Sequence, residues 1–122
     1  MNFIPVTILA IISFFGNPDK NEKVLKQEYH DNGNLKMEYV MKSSKIVEAS
    51  YYYENGQLRE QGQFKGQTMH GIWKSFNETG LQIAEAKFDN GTSIKKSFWN
   101  NDGTLAGVIT NNTQDQLVNL ED

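Results

Sequence analysis

The sequence predicts an all-β protein, an antiparallel β-meander of about eight strands. The strands are expected to form an elongated, single-layer sheet, either flat or curved. The first observation is a repeat of four similar segments, each with an aromatic residue four positions before a glycine. The glycines stand at 33, 56, 80 and 103, so the intervals are 23, 24 and 23 residues. The second observation is that large and polar side chains alternate after each glycine, which is the period of a half-buried strand. A repeat of this length indicates one β-hairpin per unit.

Residues 1–20 form an apolar N-terminal segment of a different character. A run from Phe3 to Phe15 is interrupted by only three less apolar residues, and the chain becomes polar after Gly16. The run is too short for a membrane span, which needs about 20 residues, but it fits the apolar part of a signal peptide. Two interpretations stay open. The segment is either a signal peptide or anchor that contacts the membrane through residues 3–15, or an apolar strand or helix packed on the repeat domain.

Each repeat centres on a hairpin turn. Three-residue loops that end in glycine fit a type I turn closed by a residue with positive φ. Glycine adopts that conformation freely, whereas a residue with a Cβ loses about 1 to 2 kcal/mol. We therefore predict a structural turn role for Gly33, Gly56, Gly80 and Gly103. We interpret the acidic loop residues as turn formers whose side chains bond nearby backbone amides; these are Asp31, Glu54, Glu78 and Asp102.

The loop length predicts which residues pair across each hairpin. A three-residue loop sets each aromatic residue opposite the residue two positions after the glycine, and these clamp pairs are Tyr29 with Leu35, Tyr52 with Leu58, Phe76 with Gln82, and Trp99 with Leu105. A two-residue loop would instead place Tyr52 opposite Arg59 and lose the pattern. Aromatic residues paired with Leu stabilise a sheet face by about 0.2 to 1 kcal/mol each. We therefore prefer three-residue loops.

The repeat domain is expected to span residues 21–110, with strands near 22–30, 34–42, 45–53, 57–65, 71–77, 81–89, 92–100 and 104–110. One face is expected to carry both the clamp pairs and a second apolar column eight residues after each glycine, formed by Met41, Phe64 and Phe88. The small residues between these columns predict a close approach or a bend of the sheet; they are Gly62, Ala86 and Gly107. The acidic tail, residues 111–122, is predicted to be weakly ordered.

Composition excludes several classes of function. The absence of cysteine excludes disulfides, thiol nucleophiles and cysteine-based zinc sites. A net charge of −3 argues against nucleic-acid binding, which needs clustered Lys and Arg. His30 and His70 have no third ligand at a recognisable spacing, so they are interpreted as structural. We predict no catalytic, cofactor-binding or metal-binding residues, and no enzyme.

The repeat resembles the MORN-repeat variant family, which includes bacterial proteins described as YwqK-type antitoxins. The second copy resembles it most, through Tyr53-Glu54-Asn55-Gly56-Gln57-Leu58 and the later Gly71-Ile72-Trp73. The first copy lacks the Gly-x-Trp element and has Val47-Glu48-Ala49 in its place. The resemblance implies an extended antiparallel sheet that binds proteins or membrane surfaces, and it implies no catalytic residues.

Two functions remain in competition. The first is a non-catalytic scaffold or protein-binding module that is secreted, periplasmic or envelope-associated. The second is a cytoplasmic antitoxin-like protein that neutralises a cognate toxin. In either case the partner is a protein, or a second copy that associates through a sheet edge or face. Aromatic side chains form the candidate interaction surface, since exposed aromatic rows mark binding sites; they are Tyr51, Tyr53, Trp73 and Phe98.

Overall fold

The computed structural model of the chain describes residues 22–111 and a short strand at 117–118. In this part of the chain, nine strands form one antiparallel sheet in which each strand pairs with its sequence neighbours. The strands are β1 (Lys23–Tyr29), β2 (Leu35–Met41), β3 (Ile46–Tyr52), β4 (Leu58–Lys65), β5 (Thr68–Phe76), β6 (Gln82–Asp89), β7 (Thr92–Trp99), β8 (Leu105–Thr110) and β9 (Leu117–Val118). The predicted all-β meander is confirmed, and β1 to β8 correspond to the eight expected strands.

The two terminal segments fall largely outside this description. The apolar segment 1–20 lies outside the described residues. Of the predicted tail 111–122, the structure describes Asn111 and the two residues of β9, which pair with Val108 and Ile109 of β8. No helix among the described residues is long and apolar enough to cross a membrane.

The hairpin turns have the geometry of three-residue loops. Gly33, Gly56, Gly80 and Gly103 have φ of 91°, 91°, 93° and 87°. In the second turn, the Gly56 amide donates to the Tyr53 carbonyl at 3.0 Å and the Tyr53 amide donates to the Gln57 carbonyl at 2.9 Å. The clamp pairs occur in the expected register: Tyr29 with Leu35, Tyr52 with Leu58, Phe76 with Gln82, and Trp99 with Leu105.

A register shift beside every clamp pair places that pair on the other face of the sheet from the one that simple alternation predicts. The shift falls between Glu28 and Tyr29 in the first repeat and recurs in the other three. The Tyr29 hydroxyl therefore donates to Gln27 Oε1 at 2.9 Å, and Gln27 Nε2 donates to Glu38 Oε2 at 2.7 Å. Met37, the neighbour of Glu38, points to the opposite face.

The expectation that one face carries both apolar columns is therefore wrong. A β-bulge adds a residue to one strand and so reverses the alternation of side chains beyond it. The clamp pairs share a face with the polar side chains of the strand centres, which we call the polar face; it carries Gln27, Glu38, Ser50 and Gln61. The other face, called the aromatic face here, carries Tyr39, Tyr51, Phe64, Trp73, Phe88 and Phe98.

Asparagine side chains connect the turns of successive repeats. Asn32 Nδ2 donates to the Glu54 carbonyl at 2.8 Å, and Asn55 Nδ2 donates to the Glu78 carbonyl at 3.0 Å. The same residues also cap their own turns, since Asn55 Oδ1 accepts from the Gln57 amide at 2.9 Å. In the first, second and fourth turns the capping residue is the one before the glycine, and of the predicted acidic turn formers only Asp102 occupies that position. In the third turn, Asn77 Oδ1 accepts from the Leu81 amide at 3.0 Å instead. The Asp102 pKa is lowered by its bonds to the Thr104 hydroxyl and amide.

The sheet has a small aromatic core on the aromatic face. Tyr39 contacts Tyr51 and Phe64 edge to face, with ring centroids 6.2 and 6.4 Å apart, and Phe64 contacts Trp73 at 5.1 Å. Trp73 Nε1 donates to the Gln63 carbonyl at 3.0 Å, which satisfies its only polar group. The buried apolar residues of the described chain are Met37, Ala49 and Trp73.

Candidate functional site

A shallow groove crosses the aromatic face over strands β4 to β7. Its volume is about 210 Å³. Short side chains of β6 and the Trp73 ring form its floor, and large apolar side chains border it. The lining consists of Met69, Trp73, Ser75, Ala84, Ala86, Phe88 and Phe98, together with the charged Glu60, Glu85 and Lys96.

The groove exists because two of the β6 residues that point to this face, Ala84 and Ala86, are small. Ala84 pairs with Ser75 on one side and with Phe98 on the other. Ala86 likewise pairs with Trp73 and with Lys96. Methyl groups on the central strand, flanked by longer side chains on both neighbours, leave a hollow along the middle of the sheet.

The side chain of Phe98 stands at the border of this hollow and remains exposed. Its exposed fraction is 37%, whereas that of Trp73 is 5%. Ile109 on β8 is 39% exposed, and a second hollow of about 400 Å³ joins Ile109 to Lys96. The apolar surface therefore continues beyond the first groove towards β8, where no second layer of described residues covers it.

Two opposite charges lie on either side of the groove. Glu60 is on β4 and Lys96 is on β7, so β5 and β6 separate them by about 14 Å at roughly 4.8 Å per strand. Within residues 22–111, neither side chain forms an ion pair or a side-chain hydrogen bond. By contrast, Lys42 binds Glu22 at 2.6 Å near the β1 edge. The other carboxylate of the lining, Glu85, accepts from Gln82 Nε2 at 3.5 Å. The groove thus offers the carboxylate of Glu60 and the amine of Lys96 without a partner among the described residues.

The sequence-predicted surface residues have different positions in the structure. Tyr51 and Tyr39 share a hydrogen bond between their hydroxyls at 3.0 Å. The Tyr53 hydroxyl donates to the Phe76 carbonyl at 2.8 Å and so connects the second repeat to the third. Trp73 is the floor of the groove. Phe98 is the member of the set that projects towards solvent from the groove.

The pKa values of the tyrosines reflect these surroundings. The Tyr51 pKa is raised, chiefly by burial and then by its hydrogen bond to Tyr39. On the polar face, burial raises the pKa of Tyr29 and Tyr52, and the negative charge of Glu38 adds to both shifts. These phenols are held neutral, and none of them is poised as a general base near neutral pH.

The histidines occupy separate parts of the sheet. His30 Nε2 lies 2.9 Å from the Tyr52 carbonyl and joins the first turn to the second repeat. His70 is on β5 opposite Gln63 of β4. Among the described residues, no group of three or more histidine, aspartate or glutamate side chains is arranged to hold a metal ion.

Sequence reasoning missed Glu60, Lys96 and Phe88 as members of the site. Two of them lie next to a residue of the predicted aromatic surface: Lys96 precedes Phe98 by two residues, and Glu60 is opposite Tyr51. Phe88 belongs to the predicted second apolar column. Residues two positions apart in a strand lie on the same face, so Lys96 could be assigned to the face of Phe98 once the position of the bulge was known.

Comparison with known families agrees with this architecture. A family model described as "MORN repeat variant" matches residues 24–43 and 46–65. The matched segments correspond to β1–β2 and β3–β4, so each match covers two paired strands. Residues 24–65 therefore contain two adjacent MORN-repeat-variant units, as the turn motifs predicted. No curated protein matches the sequence.

Solved structures share the fold at low sequence identity. A crystal structure of TarM matches with a TM-score of 0.50 and 14% identity, over 86% of this chain and 22% of the TarM chain. A mutant of S. aureus TarM in complex with Fondaparinux, alpha-GlcNAc-glycerol and UDP matches with a TM-score of 0.51 and 13% identity, over 87% of this chain and 22% of the other. The likeness shows a common sheet architecture, which forms less than a quarter of those proteins.

Proposed function

We propose that this chain is a non-catalytic repeat scaffold that binds a protein partner through its aromatic face, in an exported or envelope-associated setting. The observation that carries the proposal is the groove beside Phe98. It combines exposed aromatic surface, a hollow, and two uncompensated charges on a sheet that buries few of its own apolar residues. Exposed apolar patches rimmed by polar groups mark protein-interaction sites.

The chemistry of the groove favours binding over catalysis. An enzyme needs a nucleophile or acid–base pair within hydrogen-bond reach at a concave site. The groove lining holds the carboxylates of Glu60 and Glu85 and the amine of Lys96, which lies about 14 Å from Glu60 across the sheet, and His30 and His70 are not among its lining residues. Shape and charge at this site can orient a bound surface, and aromatic side chains supply the contact area.

Export is supported by the apolar run from Phe3 to Phe15, which precedes a polar repeat domain without cysteine. A run of this length fits a signal peptide. In this setting the repeat domain presents its face to another envelope or extracellular protein. A cytoplasmic antitoxin-like role would instead place both the chain and its partner in the cytoplasm.

The experiment compares two matched variants of the full chain in capture assays from the native cell. Phe98→Ser removes an exposed aromatic side chain from the aromatic face. Ile72→Ser removes an aliphatic side chain of comparable exposure, 42%, from the polar face. We expect a stoichiometric partner that binds wild type and Ile72→Ser but is lost with Phe98→Ser. Equal capture by all three proteins, or loss with Ile72→Ser alone, would contradict the proposed face.

Fractionation of the captured complex tests the location. An envelope or secreted partner supports the export proposal, whereas a cytoplasmic toxin supports the antitoxin hypothesis. Turnover of a substrate by the purified chain, abolished by His30→Ala or His70→Ala, would contradict the non-catalytic assignment.

A further inference from the structure

We propose that the protein partner of the aromatic face is a second copy of this chain, held face to face by reciprocal ion pairs between Glu60 of one copy and Lys96 of the other. This inference rests on the proposed function, because it assigns an occupant to the same groove. It concerns residues of β4 and β7 and the hollow between them.

The charge arrangement of the groove is self-complementary. A two-fold axis in the plane of the interface exchanges the two surfaces, so residue i of one copy meets residue j of the other, and j meets i. An axis that runs over the hollow between β5 and β6 brings each Glu60 against the partner's Lys96. Two ion pairs then form at opposite ends of one groove, and both charges that lack a counterion within residues 22–111 receive one.

The balance of charge on this face also permits two copies to approach. The groove lining carries one exposed lysine and half-buried carboxylates, with no block of a single sign. A face with several like charges would repel its own copy, since like-charge contacts across an interface are unfavourable. The apolar residues between the two charges, together with the exposed Phe98 and Ile109, supply the apolar part of such an interface.

Packing of two sheets also explains why the face is left open. Sheets pack face to face at about 10 Å when their inner side chains interdigitate. The described sheet is a single layer with Phe98 and Ile109 exposed on this side. A second copy provides the missing layer and places aromatic side chains against the methyl-lined hollow of Ala84 and Ala86.

The test is a charge-reversal cycle on the full chain, followed by sedimentation over a range of concentrations. Lys96→Glu creates two Glu–Glu contacts in the dimer, and Glu60→Lys creates two Lys–Lys contacts. We expect each single variant to weaken dimerisation at least about tenfold. The double variant Glu60→Lys/Lys96→Glu exchanges the charges and should restore the wild-type dimer.

Mixing the two single variants provides a second readout. One chain then carries two acidic groups at these positions and the other carries two basic groups, so a heterodimer should form where neither variant dimerises alone. Lys95→Glu is the matched control, because it makes the same change of net charge at an exposed residue of the opposite face. It should leave dimerisation unchanged.

Each remaining outcome overturns the inference in a distinguishable way. A dimer that is insensitive to charge reversal at positions 60 and 96 would place the contact elsewhere. A monomer at all concentrations, together with Phe98-dependent capture of a different protein, would overturn the second copy as occupant and retain the proposed function. A monomer without Phe98-dependent capture would contradict both.

Discussion

The indole ring of Trp73 lies directly over the backbone of Gly62. A Cβ at Gly62 would overlap the Cγ, Cδ2 and Cε2 atoms of the ring. The close approach lets Trp73 reach the Gln63 carbonyl and the Phe64 ring at the same time. The groove of the aromatic face depends on this contact, because the ring forms its floor.

Gly62→Ala should destabilise the sheet by about 1 to 3 kcal/mol, the range for overpacking in a well-packed site. Glycine is unfavourable in a strand, so without the Trp73 contact the same change would be neutral or stabilising. Urea unfolding of the variant measures both sign and size. In a Trp73→Leu background, where the ring is gone, the cost of Gly62→Ala should largely disappear; an unchanged cost would show that the indole is not its cause.

The asparagine connections between turns predict an unequal effect of two adjacent residues. Asn55→Ala removes the bonds to the Glu78 carbonyl and to the Gln57 amide, and it should lower the free energy of unfolding by about 1 kcal/mol. Glu54→Ala is the matched control in the same turn. Glu54 contributes its backbone carbonyl to Asn32 and Asn34, which alanine retains, so little change is expected. Equal losses of unfolding free energy by Asn55→Ala and Glu54→Ala in chemical denaturation would argue against the turn connections.

The positive φ of Gly56 predicts a conformational cost that does not depend on space. A Cβ at this position would meet only the distant amide of Asn34, at 3.9 Å. Gly56→Val should nevertheless destabilise the domain by more than about 1 kcal/mol, because a side chain disfavours the left-handed region. Gly56→Asn should have a smaller effect, since asparagine tolerates that region better. Thermal or urea unfolding of both variants tests the order.

Tyrosine ionisation predicts loss of stability at alkaline pH. Burial and the Tyr39 hydrogen bond raise the Tyr51 pKa above the unfolded value of 10.0. A raised pKa in the folded state means that the unfolded chain loses its proton first as the pH rises. The contribution of Tyr51 to the free energy of unfolding is therefore complete below pH 10.0 and is lost as the pH rises above it. Unfolding free energies measured from neutral to alkaline pH should therefore fall above this point. Tyr51→Phe should show a shallower fall; an identical pH profile would contradict the assignment to Tyr51.

Much of the fold follows from local sequence chemistry. The spacing of the turn glycines and the aromatic residue four positions before each of them determined the loop length, and the loop length determined the register of Tyr52 with Leu58. These features are local, since each depends on fewer than ten consecutive residues. The same information predicted the order of the strands, because short connections favour pairing between neighbours.

The assignment of faces could not be read from the sequence in the same way. The bulge beside each clamp pair reverses the alternation, so Tyr29 and Met37 lie on opposite faces although simple alternation puts Leu35 with Met37. The sequence also predicted that something approaches Gly62, but not that Trp73 does so. That contact depends on the stagger of β4 against β5. Glu60 and Lys96 could be recognised as a pair only from the structure, which places them on one face with β5 and β6 between their strands.

The most direct test of the aromatic face is site-specific photo-crosslinking from two positions. A benzophenone amino acid replaces Phe98 in one protein and Ile72 in another, so that the two probes report from opposite faces at similar exposure. Irradiation should give an intermolecular product from position 98 and little from position 72, and mass spectrometry should place the crosslink on another copy of the chain near β4 to β7. A product from position 72 alone, or equal yields from both positions, would contradict the aromatic face as the interface.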